Sequence, residues 1–167
     1  MQTNEQLLAA NKATVLRFNQ QVIERGDDAA FAELMAPNFV NRTAAPGVPS
    51  GPEGMLYTFK RLLRPALPDL RVEIHEQLAE GDKVTTRKTI HGTHHGEFFG
   101  IPASHRRVAI DVIDIVRLEN GRYVEHWGVN TLPAVLASLR DSGSCSSASS
   151  SEHQVAGTEH EVDLRTK

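Results

Sequence analysis

The sequence predicts an α+β domain in which three helices precede a four-strand antiparallel meander and a short helix ends the fold. Three observations support this class. Apolar residues recur at near-helical spacing from Glu5 to Glu24. After Pro68 the pattern changes to alternating apolar and polar residues, as in half-buried strands. Asn120-Gly121 lies between two such stretches and is the strongest short-range hairpin signal in the chain.

The first helix is predicted from Glu5 to Glu24, with Gly26 ending it. Asp28 is predicted to be the N-cap of a short second helix, because its carboxylate can accept from the free amides of the first turn. The apolar residues of this second helix are Phe31, Leu34 and Met35.

The third helix is predicted to begin near Pro52, after a loop at 41–52 that is rich in proline, glycine and alanine. Pro65 and Pro68 end it, because a proline ring removes a donor and clashes with the preceding turn. A last helix is predicted over about 132–139.

Four strands are predicted around Leu70–Ile74 and over Val84–Ile90, Val108–Leu118 and Tyr123–Val129. A two-residue turn at Asn120-Gly121 predicts three pairs on the last hairpin: Glu119 with Arg122, Asp114 with Trp127, and Asp111 with Asn130. Each face of this hairpin then mixes apolar and polar residues, so the pattern leaves open which face lines a cavity. A shift of one residue would exchange the two faces.

The composition is that of a single globular domain of 167 residues. A net charge of −3, with no clustered Lys/Arg stripe, argues against a nucleic-acid or membrane partner. No apolar run approaches the ~20 residues of a membrane span, and the N-terminus lacks a signal pattern. Cys145, the single cysteine, fits a reducing compartment. We expect a cytoplasmic protein.

The chain divides into a folded domain at 1–141 and a serine-rich tail at 142–167. From Ser142 to Ser151, seven of ten residues are serine. Such a segment buries too little apolar surface to offset its ordering entropy, so disorder is predicted there.

Several local strings, taken in order, resemble the SnoaL-like polyketide cyclase (predicted ester cyclase) family of the nuclear transport factor 2-like superfamily. The resemblance covers most of residues 8–140. It implies a cone-shaped, cystatin-like fold with helices packed on a curved antiparallel sheet. The matching strings are Gly51-Pro-Glu-Gly54, Leu67-Pro-Asp-Leu-Arg-Val72, Gly81-Asp-Lys-Val84, Gly92-Thr-His94, Gly96-Glu-Phe-Phe-Gly-Ile-Pro102, Asp114-Ile-Val-Arg117, Asn120-Gly121 and Glu125-His-Trp127.

The resemblance implies an intramolecular aldol condensation of a polyketide ester without metal or organic cofactor. Such chemistry needs a general acid/base and hydrogen-bond donors in a dry cavity. The family carries its acid/base Asp just after the Glu-His-Trp string. Here that region reads Gly128-Val129-Asn130-Thr131, without a carboxylate. Either Asp114, Asp111 or His126 replaces it, or the family reaction is lost.

The predicted proton-transfer residues are Asp114 and His126, and burial is expected to raise the pKa of the aspartate into a useful range. Arg87 and Lys88 lie on opposite faces of their strand, so one of them can point inward. The predicted substrate-positioning residues are Asn41, Arg87, Trp127 and Asn130.

Other classes of function remain open. The histidines at 91, 94, 95 and 105 suggest a metal, but no Cys or carboxylate joins them at ligand spacing, so no metal site is expected. Epoxide or ester hydrolysis would require Asp111, Asp114 and Arg87 to converge. A related isomerase, or a non-catalytic module that binds a small molecule or a protein, fits the same fold. The family resemblance also implies a homodimer.

Overall fold

The computed structural model describes residues 3–143, and this part of the chain forms four helices and one five-stranded sheet. Both the α+β class and the cone-shaped fold are confirmed. Among residues 3–143 no helix is long and apolar enough to cross a membrane. The elements are α1 (Asn4–Arg17, continuing as π-helical Phe18–Glu24), α2 (Asp28–Leu34), β1 (Met35–Asn41), α3 (Pro52–Tyr57, continuing as π-helical Thr58–Leu63 and a last turn Arg64–Ala66), β2 (Arg71–Glu80), β3 (Lys83–Thr93), β4 (Arg107–Glu119), β5 (Arg122–Asn130) and α4 (Leu132–Gly143).

Helix α4 continues to Gly143, past the predicted domain boundary at 141. The disorder predicted for the serine-rich tail otherwise falls on residues 144–167, which lie outside the described part of the chain.

Capping side chains set the helix starts. Thr3 and Gln6 form a reciprocal capping box at the start of α1. The N-cap of α2 is Asp27 rather than the predicted Asp28, because its Oδ1 accepts from the amides of Ala29 and Ala30.

The strand β1 was missed by the sequence analysis, which had assigned its first residue, Met35, to a helix. In the structure the helix ends at Leu34, and β1 pairs in parallel with β5 at the edge of the sheet. The order of the strands is β1-β5-β4-β3-β2. Pro37 is tolerated in β1 because an edge strand donates to one neighbour only.

The predicted register of the last hairpin was wrong beyond its first two pairs. Glu119 faces Arg122 and Leu118 faces Tyr123, but a β-bulge between the Leu118 and Arg117 pairs shifts every pair farther from the turn by one residue. Asp114 therefore faces Gly128, and Ile115 faces Trp127. The bulge brings the side chains of Asp114 and His126 to the same, inner face of the sheet.

The helices pack on this inner face. The ring of Phe18 from the π-helical part of α1 stacks on Tyr123 of β5, with centroids 4.2 Å apart. The outer face carries exposed apolar side chains, among them Ile113, Ile115 and Val129. The inner face of β3, β4 and β5 is thus the floor of a space that α1 and α3 cover.

Candidate functional site

A cavity of about 240 Å³ lies between the inner face of β3–β5, α1, α3 and the loop that follows β1. Its walls are mainly apolar, as expected of a small-molecule site. Phe18, Met55, Phe59, Leu62, Ile110 and Val112 belong to these walls. Eight polar side chains interrupt the apolar lining: Asn41, Thr43, Thr58, Lys88, Asp114, Tyr123, His126 and Asn130.

Asp114 is 5% exposed and forms a buried ion pair with Lys88. The Lys88 ammonium donates to Asp114 Oδ2 at 2.8 Å and to Asn19 Oδ1 at 2.7 Å. Burial raises the pKa of Asp114, but the charge of Lys88, together with His126 when its ring is protonated, outweighs burial and lowers that pKa overall. The predicted rise in the pKa was therefore wrong, because the sequence did not show that Lys88 points inward. Asp114 is a carboxylate at neutral pH.

His126 lies between Asn41 and Asp114. Its Nδ1 is 3.0 Å from Asn41 Oδ1, and its Nε2 is 3.6 Å from Asp114 Oδ2. The orientation of the Asn41 amide follows from the backbone N–H of Thr43, which donates to Asn41 Oδ1 at 3.1 Å. Because this oxygen only accepts, His126 Nδ1 must carry the proton. In the neutral ring Nε2 then holds a lone pair and can accept a proton.

Thr43 ties this arrangement to the end of β5. Its hydroxyl accepts from the N–H of Gly128 at 2.9 Å and donates to Asn41 Oδ1 at 3.2 Å. The N–H of Gly128 thus orients the hydroxyl of Thr43, and this hydroxyl holds the side-chain amide of Asn41 in place. The Asn41 oxygen in turn determines which nitrogen of His126 carries the proton. Second partners of this kind commonly orient a catalytic histidine.

Two further polar groups reach the cavity. Burial, reinforced by the charge of Asp114, raises the pKa of Tyr123 well above its ordinary value, so it stays a neutral phenol. Asn130 accepts from the N–H of Leu132 through its Oδ1 at 3.0 Å, which leaves its NH₂ group as the donor side.

Four of the six predicted site residues line the cavity: Asn41, Asp114, His126 and Asn130. The structure places Arg87 and Trp127 elsewhere. Arg87 is on the outer face, where its Nε donates to Glu76 at 2.7 Å. Trp127 also faces outward because the bulge shifts it opposite Ile115. Neither residue contacts the cavity from this position.

The carboxylate pair considered for epoxide or ester hydrolysis does not converge. Asp111 is exposed on the outer face, where its Oδ1 accepts from the hydroxyl of Thr89 at 2.8 Å. Asp114 lies on the inner face of the same strand, so the sheet separates the two carboxylates. Arg87 shares the face of Asp111 and cannot bridge them.

The histidines considered for a metal do not form one cluster. His94 is fully buried, with Nδ1 2.9 Å from Ser104 Oγ. His95 and His105 are exposed, with their Nδ1 atoms 3.1 Å apart, and His91 contacts Glu73. Within residues 3–143 no three His, Cys, Asp or Glu side chains come together as possible metal ligands.

The sequence analysis missed Asn19 and Thr43, and it left the direction of Lys88 open. Asn19 had a signal, since it is a polar residue within the apolar stripe that carries Val15, Phe18 and Val22. Thr43 had none, because its role depends on a loop that returns to β5.

The model of the SnoaL-like polyketide cyclase family matches residues 13–139. The chain belongs to this family. A search of curated proteins found no match. Among solved structures, TsrD from Streptomyces laurentii is 29% identical with a TM-score of 0.69, and the match covers 78% of this chain and 95% of TsrD.

Two more solved structures are similar to this SnoaL-like chain. IdmH, a candidate polyketide cyclase from Streptomyces antibioticus, is 30% identical with a TM-score of 0.68, covering 78% of this chain and 98% of IdmH. AclR, a candidate hydroxylase from Streptomyces galilaeus, is 29% identical with a TM-score of 0.71, covering 80% and 98% of the two chains. The likeness therefore extends over nearly the whole of each relative.

Gly128, which follows the Glu-His-Trp string of this SnoaL-like protein, lies against the site. A Cβ at this position would be 3.0 Å from Cε1 of His126 and 3.5 Å from Cβ of Asp114. An acidic side chain at 128 would therefore require the imidazole to move.

The lowered pKa of Asp114 makes a prediction about acid stability. A carboxylate whose pKa is lower in the folded than in the unfolded state stabilises the fold above its unfolded pKa, ordinarily 3.8 here, and this contribution disappears as pH falls through the folded pKa. Asp114→Asn should therefore lose less unfolding free energy than the wild type between about pH 5 and pH 2. Urea unfolding of the variant and the wild type at several pH values in this range measures the difference.

The matched control is Asp111→Asn, since this exposed side chain is on the same strand. We expect its pH dependence to follow the wild type. An Asp114→Asn variant whose stability falls as steeply as that of the wild type would contradict the prediction.

Proposed function

We propose that this protein catalyses the intramolecular aldol cyclisation of a hydrophobic, polyketide-like small molecule, without a cofactor. The observation that carries the proposal is the position of His126. Its Nδ1 is bonded to Asn41, so its Nε2 is the basic atom, and this atom lies beside an ionised carboxylate in a mainly apolar cavity. General acid/base catalysis needs such a group within reach of a carbon acid.

The proposed step begins when His126 Nε2 takes a proton from a carbon next to a substrate carbonyl. The resulting enolate carbon attacks a second carbonyl of the same molecule, forming a C–C bond and an alkoxide. The alkoxide then takes the proton back from the imidazolium. Substrate and product are isomers, so no oxidant, reductant or co-substrate is consumed.

Asp114 acts in this scheme as the partner of the imidazolium. Its charge, 3.6 Å from Nε2, stabilises the protonated ring, and Lys88 keeps the carboxylate ionised. His126 is therefore the general base in this scheme, and Asp114 does not itself transfer the proton. The lowered pKa of Asp114 favours the histidine as the base.

The enolate needs hydrogen-bond donors as its charge develops. Three cavity-lining groups have the required chemistry: the ammonium of Lys88, the neutral phenol of Tyr123 and the NH₂ group of Asn130. Two of the three N–H donors of Lys88 are used by Asp114 and Asn19.

Non-catalytic binding of a small molecule is the second candidate. The observation that favours it is the buried pair of Lys88 and Asp114, in which both charges already have partners. The mainly apolar cavity would then hold a ligand without converting it. A measurement of turnover distinguishes catalysis from binding without conversion.

The test is a panel of aromatic diketo esters incubated with chelator-treated protein. Because ring closure is isomeric, products are followed by chromatography and absorbance as well as by mass. We expect ring closure by the wild type, and a loss of about 10²–10⁴-fold in Asp114→Asn from loss of the imidazolium partner. Asp111→Asn should keep full activity, since that residue is on the outer face. Absence of turnover across the panel, with ligand binding retained, would favour the binding function.

The cytoplasmic location and the homodimer expected from the sequence stay predictions, as does an isomerase reaction in the same cavity.

A further inference from the structure

Phe99 is a large apolar residue at the mouth of the cavity. Four of the residues that line the cavity are exposed and so mark its opening: Thr43, Ala45, Phe99 and Asn130. Only Phe99 among them has a large apolar side chain, and it is 46% exposed. Other exposed large apolar residues in the described part of the chain, such as Tyr57, do not line the cavity. The ring of Phe99 therefore meets solvent as well as the cavity.

The backbone of Phe99 has a conformation that suits other residue types better. Phe99 and Gly100, with φ of +50° and +77°, form a two-residue turn between Phe98 and Ile101, whose backbones exchange two hydrogen bonds of 3.0 Å. The Asn120-Gly121 turn has nearly the same angles, +50° and +72°, with asparagine in the first position. Asparagine tolerates this region of φ, whereas phenylalanine is disfavoured there. The geometry of the turn therefore does not account for an aromatic residue at position 99.

Buried neighbours hold this turn in place. Phe98 is 0% exposed and Ile101 is 7% exposed, so the two residues that flank the turn belong to the core. The ring of Phe99 contacts that of Phe98, with centroids 5.2 Å apart. The core thus presents the ring of Phe99 at the mouth without burying it. Residues that their surroundings hold in a disfavoured backbone conformation cluster at ligand sites.

We propose that Phe99 is a specificity-determining residue, whose ring packs on an apolar extension of the ligand where that extension passes through the mouth. The other exposed residues of the mouth are small or polar, so this ring supplies most of the apolar contact there. The contact removes apolar surface of both ring and ligand from water. It favours a ligand that reaches the mouth over a shorter one confined to the depth of the cavity. The inference rests on the proposed site and adds the kind of ligand that this site prefers.

The test uses two neutral probes with the full-length protein, 2-acetylnaphthalene and 2-octanoylnaphthalene. The first is small enough for the cavity of about 240 Å³, whereas the second is larger, so one of its ends must reach the mouth in either orientation. Equilibrium dialysis measures the affinity for each probe. We expect Phe99→Asn to lower the affinity for the octanoyl probe by at least about 5-fold, the effect of exposing one or two methylene groups. The affinity for the acetyl probe should change by less than about 2-fold, because that probe does not need the mouth.

Asparagine is the informative replacement because it suits the backbone of this turn. We expect the melting temperature of Phe99→Asn to equal or exceed that of the wild type, so that unfolding does not explain the loss of affinity. Phe99→Tyr keeps the ring and should keep the wild-type affinity for both probes. Tyr57→Ala is the matched control, since it removes an exposed aromatic ring that does not line the cavity.

Four results would overturn the proposal. They are failure of the wild type to bind the octanoyl probe, an unchanged affinity for that probe in Phe99→Asn, and an equal loss of affinity for both probes. The fourth is a melting temperature of Phe99→Asn more than about 4 °C below that of the wild type, which would assign the ring to support of the turn. Absence of ring closure with the diketo esters would count against the cyclase function but not against this inference, because the probes measure binding alone.

Discussion

Replacing His126 with glutamine should lower the rate of ring closure by about 10²–10⁴-fold, the usual contribution of a positioned general base. Glutamine keeps a polar group of similar reach but cannot accept and return a proton near neutral pH. The loss should appear in kcat, because the glutamine fills the place of the ring without supplying a basic atom. Steady-state kinetics with the diketo esters measure kcat and KM separately.

The matched control is His91→Gln, because His91 contacts Glu73 away from the cavity. Its kcat should stay near that of the wild type. A fully active His126→Gln variant would exclude the histidine as the base and return that role to Asp114.

Replacing Lys88 with methionine should lower the unfolding free energy by about 3–5 kcal/mol, because it leaves the buried charge of Asp114 without its cation. It also removes the donor to Asn19. The double variant Lys88→Met/Asp114→Leu should recover most of the loss, since two apolar side chains of similar size need no charge partner. Urea unfolding of the single and double variants measures the coupling.

The single variant Lys88→Met should also reverse the sign of the contribution that Asp114 makes to the pH dependence of stability. With Lys88 removed, burial raises the pKa of this carboxylate, so the folded state takes up a proton more readily than the unfolded state. Its stability should then improve as pH falls from 7 towards 5, opposite in sign to the wild-type contribution. Lys83→Met is the control, because Lys83 is exposed on the same strand and its replacement should change stability by less than about 1 kcal/mol. Equal losses of unfolding free energy in Lys88→Met and Lys83→Met would contradict this account.

Much of the fold could be predicted from the sequence because its signals are local. The apolar spacing of α1, the prolines at 52 and 68 on either side of α3 and the Asn120-Gly121 turn depend on residues close together in the chain; Pro65 lies within the last turn of α3 instead of ending it. The strand β1 could not be predicted in this way. It forms because its backbone pairs with β5, more than eighty residues away, and its first residue also fits the apolar spacing of the preceding helix.

The candidate site shows the same division. Asp114, His126 and Asn130 were predicted from their position in strands and from the family resemblance, and Asn41 from its place after the second helix and the same resemblance. The inward direction of Lys88 required knowledge of its partner, because alternation along β3 places Arg87 and Lys88 on opposite faces without saying which face is buried. Arg87 lies on the outer face of β3 beside Glu76, whereas Trp127 lies on the outer face because of the bulge in β5.

The sequence by itself determined the class of fold, the family and the set of polar residues available to the cavity. The tertiary structure decided which of these residues meet. The bulge at Val124, between the pairs of Leu118 and Arg117, adds one residue to β5 and places His126 on the face of Asp114, whereas an unbulged hairpin would place them on opposite faces. Side chains alternate along a strand, so a single unpaired residue exchanges every position after it. The pairing of β5 with its neighbouring strands fixes this one-residue shift in register, and no local pattern in the sequence predicts it.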